Sequence, residues 1–368
     1  MNLEKIQYEY DYHRHYNLKI KRATYIGNGL CGLINLGNKC FLNSILQCLF
    51  STLSLTDYFL STQYQDDLPN ENNRRNEHYV LISYLTLVNN IWDANQLIKP
   101  KSFVENLSKF HKKYFSMVQQ DSHECLLYIL DILHNSLSYE IDVDIKGETV
   151  SKADVLMKDS LRSWQRFYES NYSFIIETFH GSHLNKILCN SCKNTENVFE
   201  PYNSLSVDIS SNLMSCLENY FKSDEHISTY ACDKCSGTGC TKGVKIWTVP
   251  NYLIIHLKRF QQTTSGTVKN TALVDFPLTD LDITQFISAE KEDKNNYVYD
   301  LYAISQHSGS LEGGHYWAST KNLDGHWYNF NDTNVSKYNP ASLNRQLVTN
   351  DAYILMYQRK FVKQAIQI

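Results

Sequence analysis

The sequence predicts an α+β fold, with helices in the first half and an antiparallel sheet in the second. Between Cys40 and His134 apolar residues recur every three or four positions, the spacing one buried helix face requires. From about Phe174 to Gln358 the pattern changes to short β-branched and aromatic runs separated by polar turns. With 368 residues, 42% of them hydrophobic and 20% charged, the chain is long and apolar enough for a substantial core.

In chain order, residues 1–25 carry five tyrosines among many charges with no clear period and read as a partly ordered arm. Gly37 and Asn38 form a turn, after which Phe41, Ile45, Leu46 and Leu49 repeat helically from Cys40 onward, so an amphipathic helix is expected there. A polar loop from Ser61 leads to a second helix over His78 to Trp92, carried by Leu81, Ile82, Leu85, Val88 and Ile91. Asp121 and Glu124 precede a third, whose apolar face is Leu126, Leu127, Leu130 and Leu133, and their spacing fits a helix-capping pair. Residues 138–172 read as an extended connection around one helical piece containing Trp164. Strands are expected at Lys186 to Leu188, Leu205 to Ile209, Lys245 to Val249 and Tyr252 to Phe260. Four more follow at Tyr297 to Ser305, His315 to Thr320, Trp327 to Asn331 and Ala352 to Gln358, and the charge-rich stretch 289–296 reads as a solvated loop.

A formal charge of -4 leaves no electrostatic footprint for nucleic acid or an anionic membrane. No run approaches the ~18 apolar residues of a membrane span, and the N-terminal segment lacks a signal core, so a soluble, non-secreted protein is expected. The ten cysteines then read as reduced thiols and metal ligands in a reducing compartment, cytoplasm or nucleus.

Three groups of residues carry chemistry. Cys40 heads a helix, where unpaired N–H groups and the positive end of the helix dipole favour a thiolate nucleophile, and Asn35 in the same turn could aim its amide at an oxyanion. Gly313-Gly314 places His315 at the head of a strand, and a hairpin around Asp324-Gly325 brings up Asn331 or Asp332 to orient its ring. Together these make a Cys-His-Asn set suited to acyl transfer. His307, His256 and His123 are weaker candidates, since none adjoins a glycine pair with a matching polar end. The third group, Cys189/Cys192 and Cys232/Cys235, is two C-x-x-C pairs fit to close a tetrahedral structural Zn²⁺ site, with Cys240 as a spare thiol. Each has a plainer alternative: a core cysteine, a sheet histidine, a polar turn, and reduced or redox-paired thiols.

Taken together, Gly32 to Gln47, Gln119 to Glu124, Phe179 to Gly181 with the cysteine pairs, Leu253 to Phe260, Gly313 to Tyr316, Trp327 to Asp332 and Ala352 to Tyr357 resemble the ubiquitin-specific protease family of papain-like cysteine peptidases. The resemblance implies a catalytic domain over 26–360: a helical thumb at about 31–172, zinc-bearing fingers at about 173–250 and a β-rich palm at about 251–360. It also implies a deubiquitinase that cleaves after the C-terminal Gly-Gly of ubiquitin, in a slot too narrow for side chains. Cys40 falls on the nucleophile, His315 on the base, Asn331 on the orienter and Asn35 on the oxyanion donor. Asp121, Glu124 and Tyr316 fall where the family holds ubiquitin's tail. This chain departs from the family in having Lys39 in place of the usual threonine, Asn331 where many members have aspartate, and Trp317 in place of a small residue. None of these removes a reacting group, so an active enzyme is expected. The rival expectations are a catalytically inactive ubiquitin-binding pseudoprotease with Lys39 blocking the site, and a protease of a ubiquitin-like modifier.

Overall fold

The computed structural model describes residues 27–69, 76–94, 97–110, 118–222, 225–264, 266–291, 297–310 and 313–360. The proposed arm over 1–25 and part of the charge-rich stretch, 292–296, lie outside them.

The helical half is built around α1 (Cys40–Phe50), every residue of which is buried. This differs from the amphipathic helix expected. Its polar residues do not face water: Asn43 Nδ2 donates to Asp332 Oδ1 at 2.8 Å, Ser44 Oγ pairs with Ser305 Oγ at 2.7 Å, and Gln47 Nε2 donates to the Cys31 carbonyl at 2.8 Å. Paired in this way, polar groups can be buried without a large desolvation penalty.

Around α1 lie α2 (Leu53–Leu60), α3 (Glu77–Asn89), α4 (Lys101–Phe110) and α5 (Ser122–Leu137). α3 follows the expected pattern through Leu81, Leu85 and Val88, but Ile82 is 47% exposed. α5 starts as its sequence suggests, with Asp121 Oδ1 accepting from the His123 and Glu124 N–H groups at 2.6 and 3.1 Å. An extended stretch then leads to α6 (Lys152–Tyr168), closed at its start by a Ser151/Asp154 capping box, and to the short α7 (Phe174–Phe179).

The second half forms two main sheets. β1 (Gly181–Cys189), β2 (Thr195–Tyr202), β4 (Glu225–Ala231) and β5 (Thr238–Thr248) make a four-stranded sheet in the order β2-β1-β5-β4. The strands of the larger sheet are β3 (Leu205–Val207), β6 (Tyr252–Leu257), β10 (Val298–Gly309), β11 (Gly314–Lys321), β12 (Trp327–Asn331), β13 (Asn334–Lys337) and β14 (Ala352–Arg359). They lie in the order β13-β12-β11-β10-β14-β6-β3. The short β9 (Leu281–Asp282) pairs with β10, and β7 (Phe260–Thr263) with β8 (Gly266–Lys269) forms a separate hairpin. One pairing departs from the antiparallel expectation: β3 and β6 are parallel. The chain between them supplies the crossover that parallel neighbours require.

A further helix, α8 (Leu213–Lys222), lies outside the elements expected from the sequence, although Leu213, Cys216, Leu217 and Phe221 are all buried on one face. It covers the side of the larger sheet turned away from α1, giving a second core with Leu253, Ile255 and Leu355. The core on the near side joins α1 and α5 to Tyr316, Ala318 and Phe330. The chain closes through α9 (Leu343–Leu347) and β14, an interior strand between β10 and β6. Among the described residues no helix is long and apolar enough to cross a membrane.

Candidate active site

Gly37 (φ 85°) and Asn38 (φ 50°) adopt the left-handed backbone that turns the chain into α1. Asn35 Oδ1 accepts the Lys39 N–H at 2.9 Å, and Cys40 is the first helical residue. The thiol is 1% exposed. Burial is the largest influence on it and pushes its pKa up; the nearby Asp332 carboxylate adds to this, while backbone N–H groups of Tyr316, Phe41 and Cys40 itself pull it down. The helix start therefore acts with the sign its sequence suggests, but desolvation outweighs it and the resting group is a thiol.

The Tyr316 N–H contact brings the sulfur to the residue that follows His315. His315 is the second residue of β11, where Ser308 faces it across the β10–β11 hairpin. Ala318 of β11 faces Phe330 of β12, so Asn331, the next residue, ends beside the start of β11. His315 Nε2 and Asn331 Oδ1 are 2.7 Å apart. With Oδ1 as the acceptor the ring proton sits on Nε2, and Nδ1 keeps the lone pair a base needs. The Trp317 ring lies near-parallel to the imidazole, 6.2 Å away and at 18°.

The alternative orienter, Asp332, does different work. Its Oδ2 accepts from Asn35 Nδ2 at 3.0 Å, its Oδ1 from Asn43 Nδ2, and its carbonyl accepts the Leu33 N–H at 2.8 Å. The carboxylate thus holds the turn that presents the nucleophile and fixes which way the Asn35 amide points. Asn35 Nδ2 spends one hydrogen on Asp332 and retains a second.

Gln119 is a site residue that the sequence does not single out, although it opens the Gln119-to-Glu124 stretch. Its Oε1 accepts the Gly314 N–H at 2.8 Å, its Nε2 donates to the Gly314 carbonyl, and the same nitrogen lies 3.8 Å from Cys40 Sγ. Glycine is required at 314: a Cβ there would collide with His307 Nε2 and lie 2.6 Å from the Ser308 carbonyl.

Of the expected tail-binding residues, Asp121 caps α5 and its Oδ2 accepts from the Tyr353 hydroxyl. Glu124 is exposed in the first turn. The Tyr316 side chain is 2% exposed, packed with His307 and Tyr353. His307 is fully buried beneath the β10–β11 hairpin, while His123 and His256 stack on each other at 4.1 Å.

The two C-x-x-C pairs meet at the far end of the four-stranded sheet. Sγ atoms of Cys189, Cys192, Cys232 and Cys235 all lie within 4.8 Å of one another, with Cys189–Cys235 and Cys192–Cys232 at 3.8 Å. A tetrahedron of thiolates around Zn²⁺ with Zn–S near 2.3 Å has edges of about 3.8 Å. The two turns are built alike: Lys193 N donates to the Cys189 carbonyl and Ser236 N to that of Cys232, and Lys193 and Ser236 are left-handed at φ 59° and 52°. These residues fit a four-coordinate metal ion. Cys240 faces Cys189 across β1 and β5 but stays outside the four-sulfur group.

Comparison with known proteins gives a consistent picture. The sequence pattern of the family described as "Ubiquitin carboxyl-terminal hydrolase" matches residues 31–357. Ubiquitin carboxyl-terminal hydrolase 2 of Bos taurus is 36% identical over 344 residues, spanning 90% of this chain and 55% of the bovine protein. Its Drosophila melanogaster counterpart, Ubiquitin carboxyl-terminal hydrolase Usp2, is 34% identical over 342 residues, 90% of this chain and 35% of that protein. The chain thus spans about half or less of these relatives' length. Among solved structures, a chain of a SAGA DUB module of Ubp8, Sgf11, Sus1 and Sgf73 bound to monoubiquitin superposes with a TM-score of 0.70 at 25% identity, covering 91% of this chain and 70% of that one. The fold is therefore the papain-like α+β architecture of thumb, palm and fingers, and the chain belongs to the ubiquitin carboxyl-terminal hydrolase family.

Proposed function

We propose that this chain is a thiol-dependent deubiquitinase that hydrolyses the isopeptide or peptide bond after the C-terminal Gly-Gly of ubiquitin. The observation that carries the reading is the 2.7 Å hydrogen bond orienting His315 on Asn331, next to a buried thiol that the Tyr316 N–H approaches. A solved relative is described as bound to monoubiquitin, which supports the same substrate for this chain.

In this mechanism His315 Nδ1 takes the proton from Cys40 as the substrate carbonyl arrives, and the sulfur attacks that carbonyl. The second hydrogen of Asn35 Nδ2 and the Cys40 N–H receive the oxyanion, each worth on the order of 3 kcal/mol. His315 returns its proton to the departing lysine amine, and water, deprotonated by the same ring, releases ubiquitin from the thioester. Asp121, Glu124 and Tyr316 would hold the tail, as the family resemblance implies. Zn²⁺ on Cys189, Cys192, Cys232 and Cys235 would be structural, tying the end of β1 to the turn after β4.

The catalytic domain is taken as 26–360, with thumb, fingers and palm at about 31–172, 173–250 and 251–360. Ubiquitin and ubiquitinated proteins are its partners, nucleic acid and membranes are not, and ten cysteines outside any disulfide suit the reducing interior of cytoplasm or nucleus. A ubiquitin probe bearing a C-terminal electrophile tests the activity. It should label this chain and fail to label Cys40→Ala; an unlabelled wild-type chain that still binds ubiquitin makes the protein a pseudoprotease. Labelling by a ubiquitin-like modifier in preference to ubiquitin reassigns the substrate.

A further inference from the structure

A cavity of about 600 Å³ lies between α6, α7 and the root of the four-stranded sheet, apart from the Cys40 site. It exists because α6 turns small residues toward the sheet. Ser160 and Ser163 are buried there, with Ser163 Oγ donating to the Phe199 carbonyl at 2.9 Å, and Leu156 packs against the Phe199–Trp247 cluster. A helix resting on serines leaves the space that larger side chains would fill.

The wall on the helical side is aromatic. Trp164 meets Tyr168 at 5.6 Å and 63° and Tyr172 at 5.7 Å and 56°, and Tyr172 meets Tyr139 at 5.8 Å and 84°. Rings set at steep angles to one another form the sides of a box. Glu177 stands at its edge, with Oε2 accepting from the Tyr172 hydroxyl at 3.4 Å, and Glu200 lines the opposite side. The other ionisable groups lining the cavity do not reverse this sign. His180 pairs with the Tyr168 hydroxyl, and burial lowers its pKa to about 4, so it is neutral near pH 7; Lys291 Nζ donates to the Tyr297 hydroxyl at 3.1 Å.

We propose that this cavity is a binding site for a trimethylammonium group carried on an apolar chain. The head would sit against Trp164, Tyr168 and Tyr172 beside the Glu177 carboxylate, and the apolar portion against Phe199 and Trp247. Aromatic faces attract a desolvated cation through their quadrupoles, and alkylated ammonium sheds its water more readily than a primary ammonium. The site joins thumb to fingers, so an occupant would brace the two against each other.

The test is calorimetric titration of the full chain with choline, with Nε-trimethyl-lysine amide, and with 3,3-dimethylbutan-1-ol, choline's uncharged isostere. Both cations should bind at least about tenfold more tightly than the alcohol, and the tighter of the two names the natural carrier. Glu177→Gln should weaken the cations severalfold and leave the alcohol unchanged; Trp164→Leu should abolish the preference and Trp164→Phe retain most of it. Equal binding of cation and isostere, or no saturation by either cation in the millimolar range, overturns the proposal. None of these readouts depends on the proposed peptidase activity.

Discussion

The amide of Gln119 grips both backbone polar groups of Gly314, 195 residues further along the chain, with its nitrogen 3.8 Å from the Cys40 sulfur. The contact fastens the β10–β11 hairpin beside the thiol. Gln119 thus contributes to the closure around a sulfur whose residue is 1% exposed.

Replacing Gln119 with alanine removes that closure. Alkylation of Cys40 by iodoacetamide should accelerate about fivefold, the factor set by a net hydrogen-bond contribution near 1 kcal/mol. An unchanged alkylation rate would mean that the amide does not restrict access to the sulfur.

Asn331 orients His315 without contributing a charge. Asn331→Ala should lower kcat by about two orders of magnitude with little change in KM, because the ring loses its tautomer and its aim. Asn331→Asp should retain most activity, since a carboxylate accepts the same Nε2 proton. Steady-state kinetics on a ubiquitin C-terminal fluorogenic substrate decides; a large KM effect with unchanged kcat would assign Asn331 to binding.

The Asp332 carboxylate raises the Cys40 pKa. Asp332→Asn should therefore move the midpoint of the alkylation–pH curve to lower pH, while kcat falls as Asn35 loses its anchor.

Lys39 is only 4% exposed; burial lowers its pKa, and the Cys40 thiolate raises it. By reciprocity its ammonium favours the thiolate, so Lys39→Met should move the same midpoint to higher pH and Lys39→Arg should leave it near the wild-type position. A midpoint that stays put in Lys39→Met would show that the ammonium does not act on the sulfur.

Metal removal should affect the fingers before the chemistry. Chelation, or Cys189→Ser, is expected to lower Tm and weaken ubiquitin binding by at least about tenfold, with a smaller change in the rate of Cys40 alkylation. Equal ubiquitin affinity before and after chelation would argue against a structural metal.

Several features are legible from local pattern because their causes are local. Gly37-Asn38 before an apolar period marks a helix start, Gly313-Gly314 before His315 marks a tight hairpin end, and paired C-x-x-C turns mark a thiolate cluster. The cap that Asp121 places on α5 is equally local, since its Oδ1 accepts from the second and third residues onward, whereas the bond of its Oδ2 to the Tyr353 hydroxyl is set by the tertiary fold. α8 is hard to read although its period is present in the sequence, because Ser215 and Asn219 interrupt it with residues common in turns.

By itself the sequence determined which residue types were available for the chemistry and which short turns would present them. The tertiary structure decided what those residues do. Asn35 and Asp332 are 297 positions apart, and Gln119 and Gly314 are 195 apart. Only the packing of α1 against β11 and β12 brings such groups within hydrogen-bonding reach. That same packing removes water from around Cys40, which is why a helix start that favours thiolate in solution holds a thiol here. Periodicity records how a segment meets its neighbours in sequence, whereas desolvation and long-range pairing depend on what the rest of the chain folds against it.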